Sequence, residues 1–276
     1  MNRRRRLCRW RLASVGGGIV RESDEVRRLV GLADGCELMA AALRFPTDEL
    51  ASALTDGAFA QDVESCLSDF LPRNGFGESE GCEREAAGIA ARFGAFMRED
   101  TGELCRGLRR GFSIAHVRQA GGVAVFPYES AFRHRREGKE GEPALFRAPV
   151  ALDVERQMRS AGVLPRDSRT EPCDSLWDEF SFLSYLFGQA ASASAEGDVR
   201  ASLLWSGRAR VFFDDHVAMW ADDFFEWTAA ELRAQVAAGV VDASCEEYYD
   251  ALFAYGRLLL ESIGRATGVV RPPHVL

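Results

Sequence analysis

Residues 171–186, EPCDSLWDEFSFLSYL, combine four carboxylates with a dense set of aromatic side chains. Pro172 suits the start of a helix, where its missing N–H is not needed, and Asp174 and Ser175 are both suitable N-caps. An apolar stripe then follows at the spacing of one helix face: Leu176, Phe180, Leu183 and Phe187. The stretch predicts a capped helix that packs its stripe into a core and carries its acids at the N-terminal end.

The same helical periodicity continues through most of the 276 residues. Pro46 ends the first helix, and Thr47 is the expected N-cap of the next. The predicted helices cover residues 23–45, 58–70, 80–98, 102–111, 148–161, 174–191, 198–213, 215–236 (with a break) and 244–263. We therefore expect an all-α fold, a single helical body of about ten helices in two groups.

Residues 112–147 join the two groups and differ from them in composition. They are rich in glycine, proline and charge, so we predict a long solvated loop, in which residues 123–126 could form one short strand. The expected division is a basic tail at 1–22, helical groups at 23–111 and 148–264, the loop at 112–147, and a tail at 265–276.

The charge is distributed unevenly along the chain. Residues 1–21 contain seven arginines and no acid, and since these supply +7 of the net charge of −8, the rest carries −15. An acidic body suits a basic partner rather than nucleic acid. The basic start lacks the apolar region of an export signal, so we predict either a disordered tail or a translation start assigned too far upstream. It could also occupy an acidic groove of its own or a neighbouring chain.

No segment is apolar enough to cross a membrane, and the seven cysteines form no C-x-x-C pair. The scattered cysteines predict small buried hydrophobes in a reducing compartment. No phosphate-binding loop, dinucleotide fingerprint or nucleophile elbow is present. None of the four histidines follows a glutamate by three positions, which excludes a di-iron site of the Glu-x-x-His form. We therefore expect no catalytic residue, no metal and no cofactor, and we interpret His216 as a capping or packing residue.

The acids at the start of the 171–186 helix have a chemistry of their own. Asp174 and Asp178 lie one helical turn apart, and Glu171 lies just upstream. Carboxylates grouped in this way can accept a guanidinium, whose planar fork matches their geometry. The sequence therefore predicts either solvated capping acids or a receptor for arginine.

Several motifs in order resemble the TorD/DmsD/NarJ family of cytoplasmic chaperones for molybdenum-containing redox enzymes. Glu171-Pro-x-Asp174 with Glu179-x-x-Phe182-Leu183 is similar to the family's E-P-x-D-H…E-x-x-F-[LM] motif. The other matching pieces are L-R-F-P at 43–46, P-Y-E-S at 127–130, F-x-x-H-x-x-x-W-x-x-x-F at 213–224, and Y-Y-x-x-L at 248–252. The resemblance extends over residues 26–264, with Ser175 in place of the family's histidine.

The resemblance implies a non-enzymatic chaperone that binds the twin-arginine signal peptide, the apoprotein, or both, of a molybdopterin-dependent oxidoreductase before export. It implies a cytoplasmic location and a monomer or a domain-swapped dimer. The implied signal-peptide-binding residues are Tyr128, Glu129, Glu171, Pro172, Asp174, Ser175, Trp177, Glu179, Phe180, His216 and Trp220. The alternatives are a structural or assembly subunit of a redox complex and a nucleotide-binding helical protein.

Overall fold

The computed structural model describes residues 24–71, 79–117, 122–163 and 171–267. The predicted basic tail, the break at 72–75, Cys8 and the last residues of the chain lie outside them. The described residues form α-helices joined by short connections and contain no strand, which confirms the all-α prediction. No described helix combines the length and the apolar character that crossing a bilayer requires.

Eleven α-helices follow one another in the described ranges. They are α1 (Asp24–Leu43), α2 (Asp48–Thr55), α3 (Ala58–Phe70), α4 (Ser79–Gly94), α5 (Thr101–His116), α6 (Glu129–Arg136), α7 (Pro149–Ser160), α8 (Leu176–Ala195), α9 (Val199–Phe212), α10 (Ala218–Ala237) and α11 (Ala243–Thr267). A 3₁₀ turn, Ala95–Arg98, follows α4, and a π-helical turn, Phe213–Val217, joins α9 to α10.

The core is built around the pair α1 and α8, which pack along each other. α3 covers another side of α1, α9 packs on α8, and α11 lies against α1, α4, α5 and α10. Because α1 belongs to the first predicted group and α8 to the second, the two groups share one apolar core. Helix α8 therefore lies at the centre of the molecule, with its first turn at the junction of the two groups.

Helix starts follow the capping chemistry of the sequence. Thr47 accepts a hydrogen bond from the Leu50 amide at 3.2 Å, as predicted. Ser175, and not Asp174, caps α8 by accepting from the Asp178 amide at 3.2 Å. Asp198 caps α9 through the Ala201 amide at 2.9 Å. Local polar side chains thus fix where these three helices begin.

The segment 112–147 contains more helix than its composition predicted. α5 extends to His116, and α6 forms at Glu129–Arg136 with its first four residues buried. Residues 123–126 form no strand, although the Val125 amide donates to the Ala115 carbonyl. Helix α6 has little periodicity because only its first turn is fully buried and the basic residues that follow are partly exposed, so the loop prediction was wrong here.

The predicted break before α10 is a π-helical turn rather than a new helix start. Phe212 and Val217 are the N-cap residues of the turn and of α10, and neither start has a side-chain capping bond, so His216 does not act as a cap. Such single π turns change the direction in which a helical side chain points and often occur at functional sites. Here the turn carries His216 into the interior.

Candidate functional site

The residues that sequence analysis singled out fall into two neighbouring sets. Tyr128, Glu171 and Trp177 line an open groove. The remaining predicted residues are buried in the interior behind that groove: Glu129, Pro172, Asp174, Ser175, Glu179, Phe180, His216 and Trp220. The structure therefore brings the predicted residues to one region but exposes few of them to a partner.

Backbone contacts between the segment before α6 and the start of α8 organise this region. Tyr128 and Ser175 form an isolated antiparallel bridge, in which the Glu129 amide donates to the Asp174 carbonyl at 2.8 Å. The Leu176 amide donates to the Pro127 carbonyl at 3.1 Å. The Asp174 carboxylate accepts from the Ser130 amide at 2.9 Å. Asp174 thus satisfies the free N-terminal amides of α6, which fixes α6 against α8.

The groove has a volume of about 850 Å³ and lies between α1, α5, α7 and α8. Its wall is a succession of four aromatic rings. Phe45 packs edge-on against Phe112, with the ring centroids 5.4 Å apart. The centroid distances along the rest of the wall are 6.3 Å from Phe112 to Trp177 and 6.0 Å from Trp177 to Tyr128. The lining also includes Val117, Met158, Val163, Phe182 and Tyr185.

Part of this apolar lining is open to solvent. Phe45 is 49% exposed and Val117 is 45% exposed. Large apolar side chains that line a concave surface and stay exposed are typical of binding sites.

Two carboxylates lie on the rim of the groove. Asp178 has both oxygens engaged, since Oδ2 accepts from the Ser175 hydroxyl at 2.8 Å and Oδ1 contacts Arg44 Nη2 at 3.1 Å. Arg44 also lies 3.4 Å from the Ser181 hydroxyl. Glu171 is exposed next to Trp177. Ser175, at the position of the family histidine, therefore orients a rim carboxylate and does not reach the groove itself.

The carboxylates of the rim create a negative potential, which contributes to pKa shifts of neighbouring groups. Burial, followed by the charges of Glu171, Asp174 and Asp178, raises the pKa of Tyr128 to about 12. Burial and the charge of Asp178 raise the pKa of the Glu171 carboxyl, while the Trp177 indole and Arg44 oppose that rise. Both effects indicate that a positive charge is favoured at this rim.

A buried polar cluster lies behind the groove, centred on His216. Its Nδ1 lies 2.8 Å from Glu129 Oε2, and its Nε2 lies 3.2 Å from Asp153 Oδ2. Gln157 donates to the same Asp153 oxygen at 3.0 Å. Burial lowers the pKa of His216, but the hydrogen bonds and charges of Glu129 and Asp153 outweigh burial and raise it.

The third carboxylate of the cluster is Glu179, which is 0% exposed, as is Glu129. Its Oε2 accepts from the Trp220 indole at 3.0 Å, and its Oε1 is buried without a hydrogen-bond donor. Burial, and then the charge of Glu129, raise the pKa of Glu179 well above its usual range. Arg133 Nη1 pairs with Glu129 Oε1 at 2.7 Å and balances part of this buried negative charge.

Several groove residues were missed by sequence analysis. Arg44 and Phe45 come from the first helical group and Phe112 from the segment predicted as a loop, and the resemblance had no role for them beyond the L-R-F-P segment. Asp178 was noted in the sequence as an acid one turn from Asp174, but only its exposure distinguishes it as the rim residue. Helix geometry was the signal that could have separated Asp178 from its neighbour Glu179, since successive residues of a helix point about 100° apart.

The sequence model of the family described as "Nitrate reductase delta subunit" matches residues 78–226. This range runs from the start of α4 into α10, and includes both the groove residues of α8 and the buried cluster. No curated protein and no solved structure matches the chain significantly. The match leaves out α1 and the two groove residues that follow it, Arg44 and Phe45.

Proposed function

Because the chain belongs to the nitrate reductase delta subunit family, which is of the NarJ/TorD chaperone type, we propose that it binds the twin-arginine signal peptide of a molybdopterin-dependent oxidoreductase. The general role of the family is redox-enzyme maturation. In this proposal the chaperone acts in the cytoplasm, holds the signal peptide and the apoprotein until the cofactor is inserted, and then releases them for export. It is not an enzyme in this role.

One observation carries the proposal: an exposed aromatic groove ends at a rim with two carboxylates. A twin-arginine signal has the complementary order, two guanidinium groups followed by an apolar segment. The arginines would lie at Glu171 and Asp178, and the apolar segment would lie along the Phe45–Phe112–Trp177–Tyr128 wall. Bidentate carboxylate–guanidinium pairs provide orientation as well as affinity.

The rim predicts a preference for arginine over lysine. A guanidinium can bond both oxygens of one carboxylate and also stack on an aromatic ring, whereas an ammonium is a more strongly hydrated point charge. Trp177 and Tyr128 lie directly beside the rim acids, so both interactions are available at the same place.

The experiment is isothermal titration calorimetry of the full chain with a synthetic twin-arginine signal peptide and with its twin-lysine counterpart. We expect the arginine peptide to bind more tightly. Glu171→Gln and Asp178→Asn should each weaken binding about three- to tenfold, the effect of losing one partly exposed ion pair. The matched control is Glu196→Gln, which removes an exposed acid at the C-terminal end of the same helix α8.

Equal affinity of the parent and both rim variants would refute the rim as the arginine receptor. A chain that binds neither peptide but binds the folded, cofactor-loaded oxidoreductase would instead favour the structural or assembly subunit. Binding of a nucleotide in stoichiometric amount, with no peptide binding, would favour the nucleotide-binding alternative.

A further inference from the structure

The buried cluster brings three potential metal ligands together from distant parts of the chain. One donor atom from each of Glu129, Glu179 and His216 lies within 4.8 Å of the other two. Glu129 begins α6, Glu179 lies in the first turn of α8, and His216 lies in the π turn before α10. All three side chains are buried. We propose that Glu129, Glu179 and His216 form an interior site for one divalent transition-metal ion.

The first support is the way in which each ligand is held from behind. Arg133 fixes Glu129 Oε1, the Trp220 indole fixes Glu179 Oε2, and Asp153 accepts from His216 Nε2. Of the atoms that face the site, Glu179 Oε1 has no hydrogen-bond partner, and the 2.8 Å contact between His216 Nδ1 and Glu129 Oε2 would be replaced by contacts to the ion. Metal-binding histidines and carboxylates characteristically have their other polar atom anchored in this manner, and a carboxylate on the far ring nitrogen is the usual partner of a ligating imidazole.

The second support is the unpartnered oxygen of Glu179. Oε1 is completely buried and accepts no hydrogen bond, although a buried carboxylate oxygen is expected to have a partner. Glu129, a second buried carboxylate, shares the site with it. Two buried carboxylates repel each other unless something positive lies between them. A metal ion would supply that charge.

The donor set indicates the class of ion. One imidazole nitrogen with carboxylate oxygens suits Zn²⁺, Mn²⁺, Fe²⁺ or Co²⁺, whereas Ca²⁺ and Mg²⁺ prefer oxygen ligands alone. The site also differs from the Glu-x-x-His arrangement excluded in the sequence, since its ligands come from three separate elements. It is distinct from the groove, because none of the three ligands lines the groove.

The test uses the full chain stripped of metal by a chelator and titrated with Zn²⁺, followed by calorimetry and thermal unfolding. We expect one equivalent of Zn²⁺ per chain and a rise in Tm, because an ion bound only by the folded state stabilises it. Co²⁺ should give visible d–d absorption at the same stoichiometry. Asp153→Asn, which alters the partner of the far histidine nitrogen together with the exposed pair that Asp153 forms with Arg156, should weaken Zn²⁺ binding about 10- to 100-fold.

Glu179→Gln is the decisive variant, because its amide oxygen can still accept from Trp220 while the charge is lost. It should abolish the stoichiometric binding and the cobalt absorption, and His216→Gln should do the same. Glu196→Gln and His134→Gln are controls that remove an acid of α8 and a histidine of α6 outside the cluster; both should bind as the parent does. The proposal would be overturned if the parent chain bound no stoichiometric Zn²⁺, or if Glu179→Gln bound Zn²⁺ as well as the parent does. If His216→Gln does not fold, the result for Glu179→Gln decides alone.

Discussion

The groove rim and the buried cluster use the same residue types in opposite ways. Asp178 and Glu179 are adjacent in α8, yet Asp178 is 31% exposed on the rim and Glu179 is 0% exposed in the interior. A rotation of about 100° per residue is enough to send neighbouring carboxylates to different environments. The rim acids can exchange a partner at little cost, whereas the buried acids are bound into a network that the fold depends on.

The largest effect should come from removing a member of the buried network. Glu129→Ala leaves Arg133 and His216 without their buried partner, which is expected to reduce the free energy of unfolding by about 3–5 kcal/mol. Glu171→Ala, on the rim, should change it by no more than about 0.5 kcal/mol. Urea unfolding followed by circular dichroism measures both. Similar losses for the two variants would contradict the separation of rim and cluster.

The second effect is a dependence of stability on pH that comes from the buried His116. His116 packs against Phe112 and Phe224 and makes one contact of 3.0 Å with the Val125 carbonyl; burial lowers its pKa to about 4. Because the folded-state pKa lies below the unfolded value of about 6.5, the stability linked to His116 is present above pH 6.5 and is lost as the pH falls toward 4. The full loss is of the order of 3 kcal/mol.

The measurement compares the parent with His116→Asn by urea unfolding at pH 7.5, 6, 5 and 4. The variant should be less stable at pH 7.5, because it loses ring packing, but it should lose less stability on acidification. Carboxylates that titrate in this range contribute equally to both proteins, so the difference between the two curves reports His116. Parallel curves would show that His116 is not held neutral.

Asp174 tests whether the family's aspartate contacts the peptide or supports the fold. Its side chain is buried and accepts from the Ser130 amide, so Asp174→Ala should cost about 1–2 kcal/mol of stability, the range of a lost helix cap. Peptide affinity, measured on the folded fraction, should stay unchanged, whereas Asp178→Asn should lower it. A loss of affinity on Asp174→Asn, which keeps an acceptor oxygen, would show that Asp174 reaches the peptide directly.

The smallest effect concerns Arg44, which already occupies one rim carboxylate. An incoming guanidinium must share or displace its contact with Asp178 Oδ1. Arg44→Ala should therefore tighten binding of the twin-arginine peptide, by up to about fivefold, the scale of one exposed ion pair. Arg159→Ala, whose exposed pair with Glu155 lies on α7, is the control. Weaker binding to Arg44→Ala would mean that Arg44 holds the rim in its binding shape.

The sequence by itself determined the helices, because helical periodicity, Pro46 and caps such as Thr47 and Asp198 act within a few residues. It also predicted where α8, with its acidic and aromatic residues, begins. Helix α6 escaped prediction since its first turn is stabilised by Asp174, which lies 44 residues away from Ser130. In the sequence, the π turn that directs His216 inward was indicated only as a break between two predicted helices.

Only the tertiary structure decided which carboxylates lie on the groove rim and which face each other. Glu129, Glu179 and His216 are far apart in the chain, and nothing in their spacing indicates that they meet. Likewise, Arg44 and Phe45 become groove residues because α1 packs along α8. Local chemistry fixes the helices, but long-range packing of those helices decides whether a side chain lies on the groove rim or in the interior. A rim side chain is accessible to a ligand, whereas an interior side chain supports the fold.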